Sequence, residues 1–267
     1  MLKNLNGNTR LFMTVGYPIS QVKSPADITR AFNQRGVDAV QVPVEVPPDK
    51  FDDFFKGVEG ASNLDGLVVT VPFKFAVAKI CKTLTPRSTR LGAANIIRRN
   101  SDGSWHGDMT DGLGFCNAVR QAGSMIKGRR ALLIGAGGAG SAIGLALLDE
   151  GATQLAIYDI DTKRSETLLN LLKNDYSGVS IVSDTSATNC DIIAHATPTG
   201  MKSDDPLPLD VNRLTSQMHV GDVVTMPAVP PLVEAARARG CRTTTGIEMF
   251  DGHRKLVVDF LLHADSS

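Results

Sequence analysis

Gly135, Gly137 and Gly140 fall in G-x-G-x-x-G spacing. They follow a short apolar run, Ala131 to Ile134, and precede small and aliphatic residues from Ser141 to Leu148. A second apolar run, Leu155 to Tyr158, stops at Asp159, nineteen residues after Gly140. The order is strand, glycine turn, helix, strand, acid, which matches a dinucleotide-binding fingerprint. The first glycine permits the tight turn, the second lets a pyrophosphate approach the backbone, and the third brings the helix against the strand. At the helix N-terminus, Gly138 and Ala139 offer N–H groups and the positive end of the dipole to phosphate oxygens. Glycine turns also serve purely structural ends, but here strand, helix, second strand and terminal acid all agree.

Such a loop works only when a sheet holds it, and the chain supplies strands and helices on both sides. Arg10 to Val15 reads as a strand ending in the turn GYPIS. Pro25 to Arg35 can form a helix with Ser24 as N-cap and Pro25 at its first position, ended by Gly36. Ala39 to Val44 is strand-like, Pro47-Pro48 opens a helix through Phe51, Phe54 and Phe55, and Leu64 to Val71 is a further strand. Pro72 ends that strand and opens a helix with Lys74 in its first turn. This alternation predicts a small, mostly parallel sheet with covered faces. The pattern weakens from Arg87 to Trp105, where Ala94 to Arg98 and Ser104 to His106 can pair as a hairpin across Asn100 to Gly103. A helix from Asp111 to Ala122 leads into the glycine-loop strand, which places a boundary near Asp111. Beyond the fingerprint come a helix over Ser165 to Lys173, strands at Val179 to Val182, Asp191 to Ala194 and Val220 to Thr225, a helix over Pro230 to Gly240, and a last helix over Gly246 to His263.

Composition narrows the class. A chain of 267 residues can carry two domains, each with its own core. Lys plus Arg is 28 and Asp plus Glu is 28, so the net charge is zero. That balance argues against a nucleic-acid or membrane-surface partner, and no apolar stretch reaches membrane-spanning length. The segment MLKNLNGNTRLFM lacks the apolar core of a secretory signal. Cys81, Cys116, Cys190 and Cys241 are scattered, without C-x-x-C or metal-ligand spacing. They read as free thiols of a cytoplasmic protein with no metal site.

Several further motifs then align with one family. Val69-Thr70-Val71-Pro72-Phe73-Lys74, Gly92-Ala93-Ala94-Asn95, Thr110-Asp111-Gly112 and the early GYPISQVKSP stand in order along the chain with GAGGAG. They resemble the V-T-V-P-F-K, G-A-x-N, N-T-D-G, G-x-P-I-x-x-S-x-S-P and cofactor-loop motifs of the shikimate dehydrogenase family. The resemblance implies a two-domain α/β protein. A substrate-binding domain occupies residues 1–110 and a Rossmann-type nicotinamide-binding domain residues 111–244. A C-terminal helix, residues 245–267, returns to the first domain across a cleft.

Within that resemblance Lys74 and Asp111 are the catalytic candidates. Oxidising a secondary alcohol by hydride transfer requires removal of the hydroxyl proton and stabilisation of the developing oxyanion. A lysine ammonium can stabilise that charge or shuttle the proton, and a carboxylate beside it orients the ammonium and binds the substrate. Taken singly, Lys74 reads as a solvated surface lysine and Asp111 as a helix cap. Ser24, Thr70, Asn95 and His253 are the substrate-binding candidates. Their plain alternatives are an N-cap, a β-branched strand residue, a strand-end amide and an exposed helix position. His106, His219 and His263 carry no motif and read as surface residues. Thr197 and Pro198, with Thr199 and Gly200, resemble the loop that contacts the nicotinamide half, where Met226 could pack. Where NADP-using members carry N-R-T, this chain has Asp159-Ile160-Asp161. The acid suits the ribose hydroxyls of NAD in preference to the 2′-phosphate of NADP, with Lys163 and Arg164 the nearby cations that could reverse the choice.

The departures lie around the expected pocket. Val22 stands for the first of two serines that hold a substrate carboxylate, Val68 for an Asn, Met109 for the Asn of N-T-D and Thr225 for a Tyr. His253 stands for a Gln, and His195 for the Asn of N-A-T-x-x-G. Polar-to-apolar changes in such a site move substrate preference by orders of magnitude. The expected activity is hydride transfer between NAD and a small cyclic polyhydroxy carboxylic acid, shikimate or quinate first, as in aromatic amino acid biosynthesis. The alternatives are a related dehydrogenase for another hydroxy acid and a non-catalytic dinucleotide sensor. The partner is a small molecule, and a homodimer is left open.

Overall fold

The strands of the computed structural model, which describes residues 5–186 and 189–263, form two six-stranded sheets. Each sheet belongs to its own unit. One unit runs up to Thr110 and resumes at Arg254; the other spans Asp111–His253.

The first unit contains β1 (Arg10–Gly16), α1 (Ser24–Gln34), β2 (Ala39–Glu45), α2 (Phe51–Glu59), β3 (Leu64–Val69), α3 (Lys74–Ile80), β4 (Thr83–Leu84), α4 (Pro86–Leu91), β5 (Ile96–Arg99) and β6 (Trp105–Asp108). The strand order is β2-β1-β3-β5-β6-β4. β1 pairs in parallel with β2 and β3, while β5 runs antiparallel to β3 and β6. The hairpin closes through Asn100, whose N–H donates to the Ser104 carbonyl at 2.7 Å. Aromatic residues seat the helices. Phe32 of α1 lies 4.7 Å from Phe12 of β1, and Phe51 of α2 stacks 4.5 Å from Phe73. Each such buried ring contributes roughly 1.5–3 kcal/mol.

Two local readings change. Ser24 does not cap α1: Lys23 holds the cap position without a side-chain bond, and Ser24 is the first helical residue. The cause lies upstream. The Val22 N–H bonds the Ile19 carbonyl at 3.1 Å and Lys23 is already in the right-handed helical region, so the turn runs straight into the helix. The weakly patterned stretch after Arg87 holds α4, capped by Thr85 and ended by Gly92 at φ 60°.

The second unit contains α5 (Asp111–Gln121), β7 (Arg130–Ile134), α6 (Gly138–Asp149), β8 (Gln154–Tyr158), α7 (Thr162–Leu172), β9 (Val179–Ile181), β10 (Ile192–His195), β11 (His219–Asp222), α8 (Pro231–Ala238) and β12 (Arg242–Thr244). α9 (Gly246–Leu261) gives its residues up to His253 to this unit and the rest to the first. All pairings are parallel, in the order β12-β11-β10-β7-β8-β9. The order reverses at β7, so the crevice of this doubly wound sheet opens beyond the C-terminal ends of β7 and β10. Small residues let α6 sit low. A Cβ on Gly144 would lie 3.1 Å from Leu155, and one on Gly112 of α5 would lie 2.2 Å from the Ala142 carbonyl oxygen. Among the described residues no helix is long and apolar enough to cross a membrane.

His219 is not a surface residue. It is 2 % exposed and bridges Ser124 (Nδ1, 2.9 Å) and Thr244 (Nε2, 3.2 Å). Burial, helped by nearby Arg242, pushes its pKa down to about 4. Both folded and unfolded chains hold this histidine neutral above its ordinary pKa, so no stability is lost there. As pH falls from about 6.5 toward 4, only the unfolded chain takes up the proton, and stability falls with it. The expected loss from this group is about 2 kcal/mol between pH 7 and pH 5. Chemical denaturation across that range checks it: His219→Gln should flatten this part of the profile, and an unchanged slope would contradict the assignment.

Candidate active site

In the first unit the strand ends bring three sequence motifs together. β1 and β3 are parallel neighbours, so Gly16 and Val69 finish at the same edge; antiparallel β5 begins there. Backbone bonds stitch this edge. Thr70 N–H donates to the Val15 carbonyl (2.9 Å), Tyr17 N–H to Val71 (2.9 Å), and Val69 N–H to the Asn95 carbonyl (2.7 Å). Ala94 N–H donates to the Lys74 carbonyl at 2.9 Å, which ties the first turn of α3 to the residue before Asn95. Lys74 is 9 % exposed and so is not a solvated surface lysine. Asn95 is buried; its side-chain Oδ1 accepts the Thr110 N–H (2.9 Å) and its side-chain Nδ2 donates to the Thr110 hydroxyl (3.2 Å). Thr70 lies just past β3, partly buried, and Gly16 is required beside it: a Cβ there would fall 2.2 Å from the Thr70 methyl. Ser24 and Val22 are partly buried.

In the second unit the glycine loop has the expected form. Gly135 turns at φ 100°, and a Cβ on it would lie 2.7 Å from Thr197 Cγ2. A Cβ on Gly140 would lie 1.9 Å from the Gly135 carbonyl oxygen, so only glycine fits. Gly137 instead faces open space. The first helical bond of α6 runs from Ser141 N–H to the Gly137 carbonyl (2.8 Å), leaving the N–H groups of Gly138, Ala139 and Gly140 at the helix mouth. Open space before a helix mouth is what a pyrophosphate needs, so these residues fit a dinucleotide. Asp159 accepts the Ala136 N–H (2.6 Å) and the Asp161 N–H (2.9 Å), one on each carboxylate oxygen. It thereby braces the loop, and each oxygen keeps a lone pair for a ribose hydroxyl. Ile160 is 92 % exposed. Arg164 pairs with Asp161 at 3.5 Å, and the Lys163 N–H bonds the same carboxylate, which caps α7.

A family model described as the shikimate dehydrogenase substrate binding domain matches residues 14–97. The shikimate dehydrogenase (NADP(+)) of Gluconobacter oxydans is 33% identical over 247 residues, covering 92% of this chain and 87% of that protein. The chain belongs to the shikimate dehydrogenase family. Among solved structures, the shikimate 5-dehydrogenase of Listeria monocytogenes, in complex with shikimate and NAD, is 27% identical with a TM-score of 0.85. That match covers 98% of this chain and 95% of that one. The 5-ketofructose reductase of Gluconobacter sp. strain CHM43 is 25% identical with a TM-score of 0.82, covering 97% and 94%. The chain is an NAD(P)-dependent dehydrogenase of the shikimate/quinate type, and the sensor reading is set aside.

The remaining predicted residues fall within the second unit. Asp111 is buried and begins α5. His253 is buried, not on an exposed helix face. Its ring packs against Gly114, where a Cβ would lie 2.0 Å from Nδ1, and Nδ1 donates to the Met249 carbonyl at 2.8 Å. A carbonyl can only accept, so Nδ1 carries a proton. Thr197 is partly buried, Pro198 exposed, and Met226 46 % exposed. Asp108 carries a structural role that none of the sequence motifs marks. It is buried and gathers Arg87, Thr85 and the Met109 N–H (2.7 Å), fixing the turn that leads to Thr110. Its position two residues before Thr110-Asp111-Gly112 is the one sequence signal for that role.

Proposed function

We propose that the chain transfers a hydride between NAD and a secondary alcohol of a small cyclic polyhydroxy carboxylic acid, taking shikimate or quinate to the 3-dehydro ketone. The observation that carries this reading is the strand-end edge of the first unit, where the motifs holding Thr70, Lys74 and Asn95 are tied together by backbone bonds and Lys74 is buried. Bound at the glycine loop through Gly135 to Gly140, Asp159 and Ile160, with Thr197, Pro198 and Met226 toward its nicotinamide half, NAD supplies the hydride acceptor. Lys74 stabilises the alkoxide or takes the hydroxyl proton. Asp111 and Asn95 hold substrate hydroxyls, His253 adds a further polar contact to the substrate, and Ser24 and Thr70 reach the carboxylate end.

Val22 places a hydrocarbon where the family's first carboxylate-binding serine is expected. Restoring it by Val22→Ser should raise kcat/KM for shikimate about fivefold, the value of one net hydrogen bond. An unchanged or lower constant would mean that the pocket is arranged differently. That same apolar position, with Val68 and Met109, favours the second reading, a related dehydrogenase for another hydroxylated substrate. Similarity to a 5-ketofructose reductase is consistent with such variation. Initial rates on a panel of hydroxy acids and polyhydroxy ketones separate the two.

A further inference from the structure

His195 ends β10 and Asp222 ends β11, and the parallel register sets them side by side. Both are fully buried, at 0 % and 1 % exposure. His195 Nδ1 lies 3.0 Å from Asp222 Oδ2, and Nε2 lies 2.5 Å from the Thr197 hydroxyl. The Thr197 oxygen also accepts the Thr199 N–H at 3.2 Å, and Asp222 Oδ1 accepts the Val224 N–H at 2.9 Å.

These contacts can be oriented in one consistent direction. A carboxylate accepts, so Nδ1 carries a ring proton; in the tautomer with Nε2 as acceptor, the Thr197 hydroxyl donates to it. The Thr197 oxygen is left free to accept from Thr199. The result is a closed chain, Thr199 N–H to Thr197 to His195 to Asp222, with Val224 N–H at its far end. Every polar atom in it is satisfied, which is what makes a buried network rigid. It joins two segments: the Thr197–Gly200 turn, which also packs on Gly135, and the Val223–Val224 stretch leading to Met226.

We propose that His195, held by Asp222, is a positioning residue that sets the Thr197 turn for the nicotinamide half of the cofactor. This rests on the reading that the Thr197 turn and Met226 meet that half. The aspartate fixes the ring orientation and tautomer, and the ring fixes the threonine. An asparagine at 195 can keep the bond to Asp222, because its amide occupies the place of Nδ1. It is too short to reach Thr197.

The test compares NAD with ADP-ribose, which lacks nicotinamide, by calorimetric titration of the full chain. The proteins are wild type, His195→Asn, Thr197→Val and the double variant. Each single substitution is expected to weaken NAD about fivefold and leave ADP-ribose unchanged, the loss of one net hydrogen bond. The double variant should be no worse than either single one, since His195 acts through Thr197. Additive losses, or a parallel loss of ADP-ribose affinity, would overturn the proposal in favour of independent or general structural roles. Wild-type NAD affinity in His195→Asn, with a loss in Thr197→Val, would overturn it while sparing the nicotinamide reading. Unchanged NAD affinity in Thr197→Val would remove both.

Discussion

Lys74→Ala and Asp111→Asn are each expected to lower kcat about a hundredfold or more while leaving NAD affinity intact. The magnitude is that of a positioned acid–base or charge-stabilising group. Lys74 sits in the first turn of α3, where the helix dipole disfavours a cation, and it is nevertheless buried. A lysine serving solubility would not be kept in such a place. Asp111 begins α5, where a carboxylate suits the dipole, but a cap alone would not require burial. Neither residue belongs to the glycine loop, so NAD should still bind. Steady-state rates with saturating substrate, together with calorimetric NAD binding, check both halves. Wild-type turnover in either variant would remove that residue from the chemistry.

NAD is expected to exceed NADP by about ten- to a hundredfold in kcat/KM. Asp159 braces the glycine loop through the Ala136 N–H and keeps lone pairs for ribose hydroxyls. A 2′-phosphate would face that carboxylate, and Ile160, 92 % exposed, offers no cation. Losing one hydrogen bond to a charged group costs about 1.5–3 kcal/mol, which sets the range. Of the nearest cations, Arg164 pairs with Asp161, and Lys163 lies in the first turn of α7. Asp159→Asn combined with Ile160→Arg should move the ratio toward NADP. A wild-type preference for NADP would mean that Lys163 or Arg164 turns to take the phosphate.

The parts of this fold that were legible in the sequence are those set by short-range rules. The glycine loop, the Asn100–Ser104 hairpin and α5 all follow from turn chemistry and periodicity within a few residues. α4 obeyed the same rules, with Thr85, Pro86 and Gly92 as cap, first-turn proline and terminator, but its six residues are too short to show a period. The histidines were not legible. His219 and His195 are buried because Ser124, Thr244, Thr197 and Asp222 meet them, and all but Thr197 lie far along the chain. Asn95 likewise reads as a strand-end amide until Thr110 is found against it. Ser24 shows the local limit: which residue caps α1 depended on how the preceding turn entered the helix.

The proposed activity is decided by one assay: oxidation of shikimate, quinate and a panel of other hydroxylated compounds, each with NAD and with NADP, followed by the absorbance of reduced nicotinamide. The highest kcat/KM is expected for shikimate or quinate with NAD. Reduction supported only by substrates without a ring carboxylate, or by no substrate in the panel, would contradict it.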